Sequence, residues 1–360
     1  MLTWLRVSNF KAIRDRAIRL GRGVNLIVGP TASGKSSLLE ALALLMQSRG
    51  EDVLLIEGRL IMFHELIDVV RDLNPYNRVS IGVGVSIDDR VGGLLRDVGL
   101  NADGGEVLYS YSFTPATGDV EQEVSYGEFK LTYGRYSGIN KVVEPIEVSL
   151  CVTPYHVINE DSLETCGELP RELSIARALL FALREGLKDS FYYIGENRIA
   201  WWKRSFETTV DLLPEHSVGG DGQYTVHQLS RILTIPSMRR DFVELMEFMR
   251  SLGVDDLTAG FTEPNRIMGF IKAKSGWGTL YSAGLGLKSI LPVIVQLVLT
   301  PPGSTLAVDG IDIGLDPGTL TRVLEAIAGY ASRKGIQLIL TSRIEAGAYD
   351  NLIKLNADQR

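Results

Sequence analysis

The run VNLIVGPTASGKSS, Val24 to Ser37, constrains this 360-residue chain more than any other part of it. An apolar, partly β-branched stretch ends at Gly29, a short loop follows, and Gly34-Lys35-Ser36 opens a segment of helical periodicity. Strand, GxxxxGK[ST] loop and helix in that order make a phosphate-binding loop. Backbone N–H groups of the loop and the positive end of the following helix form a concave site for phosphate oxygens. Gly29 and Gly34 permit the backbone angles and the close approach that such a site needs. Lys35 brings a point charge to the outer phosphates, and the Ser36 hydroxyl can ligand Mg²⁺. The candidate nucleotide-binding set is therefore Gly29, Thr31, Ala32, Ser33, Gly34, Lys35, Ser36 and Ser37, with ATP and Mg²⁺ the expected ligands.

The length suits one large domain or two ordinary ones. A net charge of −7 and a pI near 5.3 argue against a surface that binds nucleic acid over most of its area, while leaving room for a local basic groove. The two cysteines, Cys151 and Cys166, make neither a disulfide framework nor a metal site. They are expected to be reduced or incidental, with a bridge between them as the lesser alternative. His64, His156, His216 and His227 lack metal-ligand spacing and are expected in structural or surface roles. Met1 to Arg6 leads straight into strand-like sequence without a signal-peptide pattern, and the longest apolar run, Ile290 to Leu299, is too short to span a bilayer. The expected location is the cytoplasm, with no membrane partner.

Alternation predicts two or three strands before the loop, and the spacing of Leu38, Leu39, Leu42, Leu45 and Met46 predicts a helix over Lys35 to Gln47. A further helix is expected from Arg59 to Arg71. Short alternating runs from about Arg78 to Val152, punctuated by Gly, Asp, Asn and Pro, predict an antiparallel meander. Helices follow over Leu169 to Leu187 and Ser237 to Leu252, then a hairpin at Thr258 to Thr279. The closing section reads helix Leu287 to Leu299, strand Thr305 to Asp309, helix Pro317 to Arg333 and strand Ile336 to Thr341, a run that suits a parallel sheet.

A nucleotide site needs an acid near the metal, and Asp309 at the end of the strand in STLAVDGIDIGLDP is the candidate, holding a water of the Mg²⁺ shell. A strand-end aspartate capping a turn is the plainer alternative. Some twenty residues earlier, Ser282-Ala283-Gly284 and Gly286 stand at the mouth of a helix, a second anion-friendly constellation that would be weak on its own.

The order of these pieces resembles the ABC-class ATPases of the SMC, RecF and OLD-like group. VSNFKAIRDRAIRLGRGVNLIVGPTASGKSSLLEAL is similar to the start of such proteins, and SAGLGLKSILPVIVQLVLTPPGSTLAVDGIDIGLDP to their signature helix followed by the Walker B strand. YIGENRIAWWKR and HSVGGDGQYTVHQL are similar to a stretch of the shorter OLD-like members. The likeness is strong over roughly the first fifty and last ninety residues. It implies an α/β fold: a P-loop ABC-type ATPase head of mixed β-sheets with flanking helices, carrying an inserted antiparallel β plus helical region. The implied division is residues 1–50 as the N-terminal part of the core, 51–257 as an inserted lid or arm, and 258–360 as the C-terminal part. It also implies a homodimer that sandwiches ATP, with Lys35 of one protomer and Ser282 and Gly284 of the other on the same γ-phosphate. Double-stranded DNA and a separate nuclease or effector subunit are the further partners it suggests.

The chain departs from that group at two places. The acid that normally follows the Walker B aspartate is replaced by Gly310, so Asp312 is the candidate to act from further along. The histidine after the last core strand is replaced by Arg343, or by Ser342 if the register slips, and an arginine is a poor general base. Slow or partner-dependent hydrolysis is the expectation, and a non-hydrolysing, nucleotide-switched scaffold the alternative. A transporter subunit fits less well, because no glutamine follows the signature glycines. Gln122 is a candidate for the metal-contacting glutamine, against a solvated strand residue. The basic set Arg6, Lys11, Arg14, Arg16, Arg19 and Arg22 suits either a DNA-facing strand surface or a solvated outer face. Trp201-Trp202-Lys203-Arg204 suits base stacking, a protein contact or a partly buried pair under a loop.

Overall fold

The computed structural model describes residues 1–87, 89–97, 100, 104–198, 214–263 and 266–356. Trp201, Trp202, Lys203 and Arg204 lie outside them. In chain order the strands are β1 Leu2–Phe10, β2 Ile13–Arg19, β3 Val24–Val28, β4 Val79–Ser86, β5 Glu106–Thr114, β6 Asp119–Tyr126, β7 Phe129–Tyr136, β8 Ile139–Glu144, β9 Val148–Ser149, β10 Phe191–Ile194, β11 Val254–Glu263, β12 Arg266–Ala273, β13 Gly276–Thr279, β14 Thr305–Val308, β15 Gln337–Ser342 and β16 Asn351–Lys354. The helices are α1 Lys35–Gln47, α2 Asp89–Asp97, α3 Arg171–Gly186, α4 Thr225–Thr234, α5 Arg239–Ser251, α6 Leu285–Leu299 and α7 Pro317–Lys334. The chain divides into two compact units: Met1–Arg22 with Gly29–Phe191 and Ile353–Arg360, and Gly23–Val28 with Tyr192–Leu352.

The first unit is built on an eight-stranded sheet in the order β2-β1-β4-β5-β6-β7-β8-β9, antiparallel throughout. Alternation is the cause: Leu5 and Val7 of β1 stand opposite Val83 and Ile81 of β4, and all four are buried. Helix α1 lies against β1 and β4 and is buried on most of its circumference, which explains its continuous Leu and Ala content.

Gln122 on β6, expected first of all as a solvated strand residue, is fully buried. Its carbonyl oxygen accepts hydrogen bonds from the hydroxyls of Tyr109 (2.6 Å) and Tyr133 (2.9 Å). Its amide donates to the carbonyls of Pro154 (2.7 Å) and His156 (3.0 Å). Burial pushes both tyrosine hydroxyls well above their ordinary pKa, so they remain donors.

Three other expectations change in this unit. No α-helix forms over Arg59 to Arg71. Gly58 and Ile61 pair across a turn (3.0 Å), and only short 3-10 turns at Leu66–Val69 and Arg71–Leu73 follow. Glu65 and Asp68 form a reciprocal cap, and extended Val70 ends the first turn at once. The meander is interrupted by α2, whose two glycines and polar ends hid it from a periodicity count. Cys151 and Cys166 are bridged rather than reduced. The bridge between Leu150 and Thr165 and the bond from Cys151 N–H to Glu164 O (2.9 Å) align the two segments side by side. Two cysteines fifteen residues apart carry no sign of that pairing in one dimension.

The second unit holds a five-stranded sheet in the order β10-β14-β15-β3-β16 and an antiparallel three-stranded sheet β11-β12-β13, one strand more than the expected hairpin. β14, β15 and β3 run parallel, as the strand–helix–strand sequence predicts. Helix α7 lies on β15, and α6 packs against α4, α5 and α7. Leu26, Ile294, Leu297, Leu306, Leu324, Leu338 and Leu340 are among the buried side chains of this core. Gln296 is a buried polar residue of α6: its amide group receives Val218 N–H (2.9 Å) and donates to His216 O (2.9 Å), tying residues 216–218 to the helix. Among the described residues, no helix is long and apolar enough to cross a membrane.

Replacing Gln122 by Leu removes one acceptor shared by two buried hydroxyls and one donor shared by two carbonyls. The expected loss of unfolding free energy is about 3 kcal/mol, since each buried unsatisfied group costs about 1–3 kcal/mol. Urea titration measures it, and a loss under about 1 kcal/mol would show that the tyrosines find other partners.

Candidate nucleotide site

The phosphate loop belongs to the first unit from Gly29 onward. Gly34 caps α1 in the left-handed conformation, with φ 91°, and the helix has neither a side-chain cap nor an acidic residue in its first turn. No side chain of its own thus competes for an anion at the helix start, where the helix dipole favours one. The Lys35 ammonium folds back onto the loop, donating to the carbonyls of Gly29 (2.7 Å) and Pro30 (2.7 Å). Thr31 and Ala32 are exposed at the tip, Ala32 at φ 63°, while Ser33 and Ser36 are half-buried and Ser37 buried. A side chain at Gly29 would meet the carbonyl oxygen of Leu355 at 2.5 Å, so that position tolerates only backbone.

The second unit carries the remaining sequence-nominated groups. Val308 of β14 pairs with Leu340 of β15, Leu340 with Leu26 of β3, and Ser342 with Val28. The three parallel strands therefore leave the sheet at one edge, the place where open α/β sheets bind ligands. Asp309 follows β14 and is 2% exposed. Thr341 fixes it: the Thr341 hydroxyl accepts Gly310 N–H (2.7 Å), which leaves its own proton for a carboxylate oxygen of Asp309. The sequence reading did not find Thr341; a hydroxyl inside an otherwise aliphatic strand was the available signal. A hard oxygen donor such as Asp309 suits Mg²⁺, as does the Ser36 hydroxyl in the first unit. Among the described residues no group of three or more His, Cys, Asp or Glu could hold a metal by itself.

Asp312 and Arg343, the two nominated catalytic residues, bond to each other. Arg343 Nε donates to Asp312 Oδ2 at 2.7 Å, with the Asp312 side chain 1% exposed and that of Arg343 58%. Ser342 is buried, and its hydroxyl donates to Ile344 O within its own turn (2.6 Å). Arg343 is thus the residue that meets Asp312. Gly310 sits at φ 58°, and a Cβ there would lie 2.7 Å from Ile313 Cδ1. The backbone at the usual place of the water-activating acid is one that an ordinary side chain strains to adopt.

Ser282 ends a 3-10 turn, Leu280–Ser282, whose cap is the Thr279 hydroxyl receiving Ser282 N–H (3.3 Å). Gly284 is the N-cap of α6, and both Ser282 and Gly284 are exposed. On the basic set, Arg6 pairs with Asp15 (3.0 Å), Lys11 with Glu40 (2.6 Å) and Arg19 with Glu106 (2.9 Å). These pairs leave the β1–β2 surface mixed in charge. Arg6 holds the Asp15 carboxyl below its usual range, and the Thr3 hydroxyl, with Arg19, does the same to Glu106.

Arg343→Ala leaves a buried carboxylate unpaired and should cost about 2–3 kcal/mol in urea unfolding, discounted from the usual 3–5 because the guanidinium is half exposed. Adding Asp312→Asn removes the stranded charge and should restore part of that loss. Equal stability of the two variants would show that the pair carries no coupling.

Comparison with known proteins follows the same two ends of the chain. A family model described as an AAA domain matches residues 5–67, and one described as an AAA domain, putative AbiEii toxin, Type IV TA system, matches residues 225–342. DNA repair protein RecN of Haemophilus influenzae is 39% identical over 59 residues, 16% of this chain and 11% of that protein. RecN of Bacillus subtilis is 26% identical over 98 residues, 27% of this chain and 17% of that protein. The matched segments thus span a small part of either relative. An SMC head bound to the C-winged helix domain of ScpA shares the fold at TM-score 0.51 and 13% identity, over 96% of this chain and 90% of that one. AAA-domain matches thus lie at both ends of the chain, and its fold is similar to that of an SMC head along nearly its whole length.

Proposed function

We propose that this protein binds Mg-ATP, forms a homodimer when it does so, hydrolyses ATP slowly or only with a partner, and acts on DNA. The observation that carries the reading is the phosphate loop itself: a glycine-capped helix start without a side-chain cap, with Lys35 beside it. Lys35 exchanges its two carbonyl partners for phosphate oxygens, and the amides of Ser33 to Ser37 take up the rest of the negative charge. The Ser36 hydroxyl would hold Mg²⁺ at the loop of the first unit, and Asp309 is the oxygen donor that the second unit offers; when bound, the ion would supply charge neutralisation at the outer phosphates. Exposed Ser282 and Gly284 offer a second protomer's nucleotide a hydroxyl and a helix N-terminus. Dimerisation follows because the ligand touches both protomers only in the closed state.

Slow turnover follows from what stands beside Asp309. Gly310 has no side chain to orient water, and Asp312 has an oxygen committed to Arg343. The same two facts favour the second reading, a nucleotide-switched scaffold that recruits an effector without hydrolysis. Association with DNA draws on the likeness to RecN, a DNA repair protein, and partner recruitment on the SMC head bound to ScpA. The mixed charge of the β1–β2 surface makes a narrow DNA contact more plausible in physical terms than a broad basic face.

Lys35→Ala should weaken Mg-ATP binding by about 10- to 150-fold, since a charge-assisted bond to phosphate contributes about 1.5–3 kcal/mol. Fluorescent-nucleotide titration checks this, with light scattering for dimers and phosphate release for turnover. ATP-dependent dimers whose turnover rises with DNA support the first reading; dimers without turnover under any condition support the scaffold. A wild-type protein that neither binds ATP nor dimerises with it would sink both.

A further inference from the structure

Arg198 follows β10 and is completely buried, 0% exposed, yet among the described residues its guanidinium hydrogen-bonds to main-chain carbonyls. Nε donates to Ser289 O on α6 (2.8 Å), and Nη1 to Gly195 O (3.0 Å) and to Asp309 O. Nη2 donates to Gly310 O. One side chain thus joins the strand exit at Gly195, the second turn of α6 and the two residues that follow β14. Only a guanidinium has enough donors, in a rigid enough fork, to span three such segments. Burial lowers its pKa to about 10, opposed by the nearby charge of Asp309 and, further down, of Asp312 and Glu196. The group stays cationic at neutral pH.

A second link runs parallel to the first. Ser289 Oγ lies 2.9 Å from Gly286 O and 2.5 Å from Ile313 O, so its single proton is shared between the helix and the turn after Asp309. A Cβ on Gly286 would stand 2.7 Å from Gly314 O, which makes that contact backbone on backbone. The start of α6 therefore rests directly on the Gly310–Gly314 turn, with the Leu285 and Leu315 side chains beside the contact. Stiff polar links of this kind transmit a displacement that liquid-like packing would absorb.

We infer that Arg198 is a positioning residue that couples the exposed Ser282–Gly284 segment at the start of α6 to the Asp309–Gly310 corner. The inference rests on the nucleotide reading above. When Ser282 and Gly284 engage a partner protomer's nucleotide, the first turns of α6 shift, and Arg198 with Ser289 passes the shift to the main chain that orients Asp309. In a dimer this links the two nucleotide sites through each protomer.

Hydrogen exchange on the full chain, with and without saturating Mg-ATP, tests it in wild type, Arg198→Lys and Ser289→Ala. In wild type, nucleotide should slow amides 285–291 and 310–315 together. Arg198→Lys keeps the charge but cannot fork across three carbonyls; it should retain nucleotide binding at residues 29–37 while the slowing at 285–291 falls about tenfold, the size of an ordinary coupling. Ser289→Ala, a milder change that serves if the lysine variant does not fold, should shift the same ratio in the same direction. A purely structural arginine would lower stability without separating the two segments. Wild-type slowing confined to one segment, or unchanged joint slowing in either folded variant, would overturn the inference. Nucleotide that slows no amide of wild type, residues 29–37 included, would remove the nucleotide reading and this inference with it.

Discussion

The in-register parallel pairing of β14 with β15 and of β15 with β3 is the constraint on which the candidate site depends. Because Val308, Leu340 and Leu26 share one level of the sheet, Asp309 leaves β14 beside Thr341, and the Thr341 hydroxyl can hold its carboxylate. A slip of one residue in β15 would turn Thr341 to the other face and leave Asp309 without that partner. The register is defended by packing: every residue of β14 and β15 is buried, so a slip would set each side chain against the wrong layer on both faces of the sheet.

Around that edge the chain replaces side-chain chemistry with main-chain geometry. Directly after Asp309, Gly310 adopts a left-handed conformation that closes the turn tightly, and Arg198 caps the carbonyls of both residues. Asp312 is drawn into an ion pair with Arg343 rather than presented to a substrate. The corner is thereby well held and poor in free bases. The proposed slow turnover draws on that corner, since holding an aspartate in place and activating water are separate tasks.

Local patterns were readable wherever one period dominated. The strand before the phosphate loop, α1, α6, α7 and β15 follow from alternation or from a broad apolar stripe, because burial of one face selects the side-chain period directly. Helix α2 and the 3-10 turns after Met62 were not readable: glycines weaken the helical period in the first, and Glu65 and Asp68 close a short turn locally in the second. Gln122 shows the same limit in a strand. Its polarity suggested solvent, but two tyrosine hydroxyls and two carbonyls satisfy it inside the sheet. A polar residue is buried whenever its partners converge, and convergence is not a property of neighbours in sequence.

The sequence by itself determined the phosphate-loop chemistry. Its parts lie within fourteen consecutive residues, and the spacing of Gly29, Gly34, Lys35 and Ser36 is the mechanism. It also determined that Asp309 ends a buried strand. Only the tertiary structure decided that Thr341 holds Asp309, that Arg343 and not Ser342 meets Asp312, and that Arg198 reaches the corner from 111 residues away. Those choices depend on strand register and on which carbonyls a buried guanidinium can reach at hydrogen-bond distance, and both are settled by packing in three dimensions.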